Sequence, residues 1–256
     1  MGLGSSTETP RRVETAQQVV EQERKPTILD KPWRDVTTKT KLMQSLKEYK
    51  PPIDSVPQAR ILIIGVVSAG KSSFFNSINS IFRGNITSQA EAGEMATSLS
   101  LKVKAGRGGQ PLAFLLCDTM GLEAGKDGGV KTEDIESILK GYVPDKYSVR
   151  TVYMNTCSES FLLMCLDVPL MVLLTKVDKA CPLVGEDLKN VYRSCYIKDL
   201  VTSDCLGIPV SQVLPVKNYD HENVLDTCCD VLLLSAMQQM LNFADNYFDN
   251  FNNGTE

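Results

Sequence analysis

The stretch GVVSAGKS, Gly65 to Ser72, preceded by the apolar run Ile61-Leu62-Ile63-Ile64, constrains this chain more than any other feature. A continuous apolar run of that kind, Arg60 to Gly65 in all, reads as a strand buried on both faces. The residues after it, Lys71 to Phe82, set Phe74, Ile78, Ile81 and Phe82 on one face of a helix. Strand, glycine-bearing turn and helix in that order match G-x-x-x-x-G-K-[ST]. The chemistry behind the pattern is specific. Glycines let backbone N–H groups wrap an anion, and the helix presents its positive end to it. A lysine at position 71 can reach terminal phosphates, and the Ser72 hydroxyl can ligate Mg²⁺.

Two further words follow in order, each at the end of an expected strand. Asp118-Thr119-Met120-Gly121 follows Leu112 to Cys117, where a carboxylate can hold Mg²⁺ and a glycine N–H can meet a γ-phosphate. Thr175-Lys176-Val177-Asp178 follows the apolar strand Leu170 to Leu174. Guanine carries N1–H and N2–H₂ donors on one edge, which a single carboxylate accepts together, and adenine lacks that pair. Asp178 therefore favours GTP over ATP, while the Lys176 stem can cover the base face. An ATP-dependent reading would leave Asp178 a bystander. Three such words at strand carboxyl ends lie where open α/β sheets bind ligands.

The rest of the chain supports this organisation. Residues 1–27 are polar and poor in aromatics, as expected of a disordered tail. Residues 28–57 read as a short helix, about Thr38 to Tyr49, and a linker through Pro51 to Pro57. From residue 58 to 251, strands and helices alternate. Leu99 to Ala105 and Leu112 to Cys117 read as strands joined by Gly106-Arg107-Gly108-Gly109. Thr132 to Lys140 and Glu186 to about Cys205 read as helices, Val213 to Val216 as a short strand, and Leu225 to Phe248 as a closing helix. The expected fold class is α/β: a P-loop NTPase, G-domain-like, three-layer fold with a mainly parallel central sheet.

Composition excludes other chemistry. With a net charge of −4, the 256-residue chain shows no basic excess for nucleic acid. Eight cysteines with no CxxC pair, and the lone His221, do not supply a zinc site or a Ser-His pair. Cys117, Cys165, Cys181 and the adjacent Cys228-Cys229 read as packing thiols. The apolar stretch Phe161 to Leu174 carries Asp167 and Pro169, and falls short of the ~20 residues of a membrane span. Met1-Gly2-Leu3-Gly4-Ser5-Ser6 fits the N-myristoylation pattern at Gly2, beside the alternative of a flexible start. One such chain would give only marginal, reversible membrane association.

The ordered set GVVSAGKS, DTMG and TKVD resembles the GTPase branch of P-loop proteins. The words around it, "PPIDSVPQARILIIGVVSAGKSSFFNSINSIFRGNITSQA", "CDTMGLE", "MVLLTKVDKACPLVGEDLKNVYRS", "LPVKNY" and "KPWRDV", resemble the interferon-induced protein 44 and 44-like family from about Trp33 to Phe248. That resemblance implies a cytoplasmic, interferon-inducible protein with a GTPase-like domain, linked to antiviral defence. By position, it makes Gly65, Ser68, Ala69, Gly70, Lys71, Ser72 and Ser73 the phosphate loop. Asp118 and Gly121 would serve Mg²⁺ and the γ-phosphate, and Thr175, Lys176 and Asp178 the base. Lys217-Asn218 would be the last base-contacting loop. A switch threonine for Mg²⁺ would be Thr97, with Thr87 as runner-up, so that Ser72, Thr97 and Asp118 form the metal set. GTP or GDP with Mg²⁺ are the implied cofactors, and a protein partner or self-association the implied company.

Two departures bear on activity. The segment "EAGEMATSLSLKVKAG" and the stretch between Asp118 and Asp178 are short for the family pattern. The latter must hold a switch loop, a helix, a central strand, a crossover helix and another strand; Val149 to Met154 reads as the central strand and Ser158 to Leu166 as a very short helix. Leu122 follows Gly121 and cannot orient water as a glutamine would. Val67 adds bulk where a partner's arginine would enter, and only Arg83 and Arg107 are candidates for a finger in cis. Slow or absent GTP hydrolysis is expected. The rival expectation is a degenerate G domain acting as a nucleotide-independent scaffold.

Overall fold

The computed structural model describes residues 27–65, 68–88, 99–118, 169–202 and 209–253. The tail 1–26 with Gly2, and Val67, Thr97, Gly121, Leu122 and Cys165, lie outside them. So do the expected elements at 132–140, 149–154 and 158–166.

Strand β1, Ala59–Ile63, lies parallel to β3, Pro111–Asp118, in a register running from Ala59 opposite Phe114 to Ile63 opposite Asp118. Strand β2, Leu99–Lys104, pairs antiparallel with the other side of β3, giving the order β1-β3-β2. The β2–β3 turn is the glycine-rich one expected. Gly106 and Gly108 take φ of 96° and 71°, the left-handed region that glycine enters at least cost. As the middle strand, β3 is covered on both faces: Leu112, Phe114, Leu115 and Leu116 are all buried. A second sheet pairs β4, Val172–Leu174, in parallel with β5, Val213–Pro215. Both pairings seen as parallel, β1 with β3 and β4 with β5, bring a strand end beside another strand end.

Three long helices cover these strands. Helix α1 is Lys39–Glu48, and helix α2 is Lys71–Arg83. The latter starts after Gly70 and stops at Gly84, whose N–H donates to Ser80 O and Ile81 O while its φ is 76°. Phe74, Phe75, Ile78, Ile81 and Phe82 are buried along it. Later in the chain come two short helices, α3 at Val177–Ala180 and α4 at Pro182–Glu186, then α5 at Cys195–Thr202. The closing helix α6, Thr227–Asn253, starts two residues later than expected, because Asp226 Oδ1 accepts from Cys229 N at 2.8 Å and caps it. One core gathers Leu42 and Leu46 of α1, the phenylalanines of α2, Phe114 and Leu116 of β3, Leu214 of β5, and Leu233, Leu234, Met237 and Leu241 of α6. A smaller core holds Val177, Cys181, Val184, Val191, Ile197, Val201 and Val213.

The helix expected from Glu186 to about Cys205 is broken. Asp187 takes an extended backbone and accepts from Lys189 N at 3.0 Å, which starts a 3₁₀ turn at Leu188–Asn190. Helical structure resumes only at Cys195. The interrupted stretch receives the N-terminal segment: Leu29 N donates to Arg193 O, Trp33 N to Tyr192 O, and Cys195 N to Thr27 O. Trp33 meets Tyr192 edge-on at 5.2 Å between centroids, and the Arg34 guanidinium lies 5.0 Å from the Trp33 ring. Arg34 also donates to Val210 O and Val213 O, at 2.8 and 3.1 Å. Residues 27–34 thus form a strap across the C-terminal half.

Cys117, Cys181, Cys195, Cys228 and Cys229 are free thiols; Cys181 and Cys229 are buried, and burial pushes the Cys229 thiol up to about 12. Among the described residues, no helix is long and apolar enough to cross a membrane.

Candidate functional site

β1 ends at Ile63, and α2 begins at Lys71, so Gly65 and Ser68 to Gly70 occupy the turn between a strand end and a helix start. Two residues there take positive φ: Ser68 at 63° and Gly70 at 93°. Serine is strained in that region and glycine is not. At Gly70 a second reason adds to the first, since a Cβ would stand 2.9 Å from Asn218 Nδ2. Lys71 Nζ folds back across the turn and donates to Gly65 O at 2.9 Å. Ser72 and Ser73 lie half-buried in the first turn of α2. The Ser73 carbonyl accepts from Ser77 Oγ at 2.7 Å.

The downstream words meet this turn. Thr175 Oγ1 donates to Ala69 O at 2.9 Å, and Lys176 Nζ donates to Ser68 O at 2.9 Å. Asn218 Nδ2 donates to Gly70 O at 3.0 Å, sharing that oxygen with Phe74 N. Three consecutive carbonyls are therefore held by side chains more than 100 residues away in the chain. Lys176 takes φ of 58°, which turns the chain from β4 into α3 and sets Asp178 in the first turn of that helix. Gly185 of α4 closes over Asp178, whose carbonyl oxygen would be 2.8 Å from a Cβ there.

The loop after β5 is held from below. Tyr219 N donates to Ser77 Oγ at 2.9 Å, and Cys229 Sγ donates to Lys217 O. Tyr219 OH donates to Asp230 Oδ1 at 2.6 Å, a carboxylate fully buried at the start of α6, and accepts from Asp226 N. Asp230 in turn pairs with Lys39 of α1. Lys217 pairs with Glu222 in its own loop. Burial works against the Lys217 charge, but the Glu222 carboxylate, with Cys229 and Asp178, outweighs it and raises the lysine above its ordinary range. For Glu222, burial acts upward. The Asp220 backbone N–H and the Lys217 ammonium overcome it and hold the carboxyl at about 2.

Of the expected site residues, Gly65, Ser68, Ala69, Gly70, Lys71, Thr175, Lys176 and the 217–218 loop come together, with Ser72 and Ser73 at the adjoining helix start. Asp118 ends β3 opposite Ile63, one strand across from the entry to the turn. Thr97 and Gly121 fall outside the described residues. Thr87, the runner-up for the switch, is tied elsewhere: its Oγ1 accepts from Asn79 Nδ2 at 3.1 Å and its N–H donates to Ser80 Oγ, along the flank of α2. Arg83 closes α2, about 18 Å from Lys71 at the helical rise of 1.5 Å per residue. Arg107 sits on the β2–β3 hairpin and donates to Asn85 Oδ1. Neither arginine approaches the turn. A shallow groove of about 460 Å³ runs along α1 from Lys39 to Glu48 and holds none of the site residues.

Sequence reading missed Glu222, Ser77 and Gly185. Only Glu222, an acid five residues after Lys217, carried a signal that charge pairing could have found. The donor chemistry fits a phosphate chain: glycine where side chains would intrude, a lysine and a helix start. Asn218 Oδ1 is also buried without a hydrogen-bond partner among the described residues. Ser72 and Asp118 are suitable oxygen donors for Mg²⁺.

No protein-family model matches the chain. Curated relatives do. The human interferon-induced protein 44-like is 33% identical over 258 residues, covering 82% of this chain and 57% of the relative. Interferon-induced protein 44 of Mus musculus and of Homo sapiens are each 31% identical over 254 residues, covering 81% of this chain and 60% and 57% of the relatives. The chain spans less than two thirds of the length of these proteins. The matching extent takes in most of the strand–turn–helix and loop framework just described, and by it the chain belongs to the interferon-induced protein 44 and 44-like family.

Proposed function

We infer that the chain is a guanine-nucleotide-binding protein built on a G-domain-like P-loop fold, cytoplasmic and interferon-induced, serving innate antiviral defence. One observation carries the binding part. The carbonyls of Ser68, Ala69 and Gly70 are each held by a residue of the two loops that sequence reading gave to the base. A phosphate turn and base-reading loops that interlock in this way support a single nucleotide site. In it, Lys71 would release Gly65 O to reach the β- and γ-phosphates. Ser72 and Asp118 would hold Mg²⁺, and Asp178 would accept from the guanine edge. The relatives' names support interferon induction. Hydrolysis is slow or absent in this reading. Leu122 cannot orient a water, and neither Arg83 nor Arg107 lies near the turn.

Titration of the purified chain with fluorescent GTP and ATP analogues, with and without Mg²⁺, tests this. Saturable, Mg²⁺-dependent binding that prefers guanine is expected. Lys71→Ala should weaken it by about 100-fold, the upper worth of a charge-assisted contact. Asp178→Ala should erase the preference for guanine. A folded chain that binds neither nucleotide would leave the scaffold reading in its place.

A further inference from the structure

Thr175 and Asn218 stand among residues that sequence reading gave to the base. Their hydrogen bonds go instead to the backbone of the phosphate turn. In a planar trans peptide, the C=O of one residue and the N–H of the next point in opposite directions. No peptide here is cis. A side chain that holds the Ala69 or Gly70 carbonyl on the side of the downstream loops therefore turns the N–H of Gly70 or Lys71 to the opposite side. Lys176, through Ser68 O, does the same for the N–H of Ala69. Three successive N–H groups directed to one side form an anion-binding concavity. The N–H directions of Gly70 and Ala69 are set from outside the turn by Thr175 and Lys176, 106 and 108 residues away; at Lys71 the bond from Asn218 adds to the helix bond that Phe74 N makes to the same Gly70 carbonyl.

The sequence around Gly70 is shaped to this contact. Any Cβ at position 70 would stand 2.9 Å from Asn218 Nδ2, so the glycine that permits φ of 93° also admits the amide. Asn218 is itself held firmly. Its neighbours Lys217 and Tyr219 are tied to Glu222, Ser77 and Asp230. The Oδ1 of Asn218 is buried with no partner among the described residues, and its Nδ2 donates to the Gly70 carbonyl. Thr175 reaches the turn by a hydroxyl, which has one proton to give, and that proton goes to Ala69 O.

We propose that Thr175 and Asn218 are positioning residues of the phosphate turn: they set its N–H groups toward an oligophosphate and act on the phosphate chain, not on the base. The inference rests on the nucleotide reading above and makes a prediction that reading does not. Removing either donor weakens a base-free phosphate chain as much as it weakens GTP, and leaves the ratio of GTP to ATP affinity unchanged.

The experiment is calorimetric titration of the full chain with Mg·GTP, Mg·ATP and Mg·tripolyphosphate, using wild type, Thr175→Val, Thr175→Ser and Asn218→Leu. It is paired with amide order parameters measured without ligand. Thr175→Val keeps the side-chain shape and loses the donor. Thr175→Ser keeps the donor and so serves as the rescue. Thr175→Val and Asn218→Leu should each weaken GTP and tripolyphosphate alike, by about 5–10-fold, the worth of one such hydrogen bond. Thr175→Ser should bind as wild type. Order parameters at Ala69, Gly70 and Lys71 should fall from the rigid range in the weakened variants and stay unchanged at Ile78 and Phe82. Loss of GTP affinity with tripolyphosphate affinity intact would make these residues base readers and overturn the inference. So would wild-type binding of both ligands that the variants share. A folded wild type that binds neither ligand overturns the nucleotide reading, and the inference with it.

Discussion

Lys217 and Glu222 lie five residues apart in one loop, and their pairing changes how that loop should respond to acid. Glu222 is held at about 2, below the ordinary carboxylate value of 4.5. A carboxyl depressed on folding adds stability above its unfolded value and loses it as pH falls toward the folded one. The Glu222 contribution should therefore be complete above pH 4.5 and fade between pH 4.5 and about 2. It is a partly exposed pair, so its size should stay within about 1 kcal/mol. Urea unfolding of wild type and Glu222→Gln across this range checks it: the gap between the two should close as pH falls below 4.5. A gap that widens with acid would show that the pair does not set this response. At this scale much of the site was legible. Gly65, Gly70, Lys71 and Ser72 stand out because glycine, lysine and hydroxyl at that spacing match a pattern, and the structure brings them to one turn and helix start. What Thr175 and Asn218 do was not legible. A side chain bonded to a backbone carbonyl leaves no pattern in residue type, because every residue offers the same carbonyl.

Helix α1 shows what an element can hide. Its sequence is mostly polar, yet Leu42 and Leu46 are buried, and Leu46 fully, against the α6 face. The helix is pinned at both ends: Lys39 pairs with buried Asp230, and Tyr49 OH donates to Asp245 Oδ1 at 2.7 Å. Burial and that bond push the Tyr49 phenol well above its ordinary range. Leu46→Ala should destabilise the protein by roughly 2–5 kcal/mol, as removal of a fully buried leucine does. Denaturant unfolding measures it, and a loss under about 1 kcal/mol would mean α1 is not seated in the core. Boundaries of α1, α2 and the β2–β3 hairpin were readable within a residue or two, because apolar spacing and glycine marked them. The break at Asp187 was not. The stretch from Glu186 onward keeps a helical composition; Asp187 turns extended and caps a 3₁₀ turn, and beyond it the strap takes backbone groups of residues 192–195. A local pattern does not record a long-range competitor for the same backbone groups.

For the whole molecule, two sheets share one core, and the nucleotide reading predicts a thermal consequence. A ligand that binds only the folded chain at 100 times its Kd should add about 2.7 kcal/mol of stability. Mg·GTP at 100 times the wild-type Kd should raise Tm by several degrees in wild type and far less in Lys71→Ala, which would gain only about 0.4 kcal/mol; equal shifts in both would place binding away from the turn. The strap makes a separate prediction. Trp33→Ala removes the ring that touches both Arg34 and Tyr192, so limited proteolysis should cut the N-terminal segment faster while α6 stays protected. Unchanged cutting would mean the strap is held without the Trp33 ring, by its backbone bonds and the side-chain bonds of Arg34.

That strap also fixes an order of events during synthesis. Arg34 finds its acceptor on Val213, and Tyr49 its partner on Asp245, 179 and 196 residues further along the chain. A ribosome that has made the strap and α1 must add those 179 and 196 residues before either can dock. Through that interval, Trp33, Leu42 and Leu46 stand exposed to any binder of apolar segments. At synthesis rates of about 5–20 residues per second, the wait is on the order of ten seconds or more. Residues 27–49 are thus made well before the partners that seat them, and a chaperone that shields them in the meantime would act on the part of the chain that closes the fold.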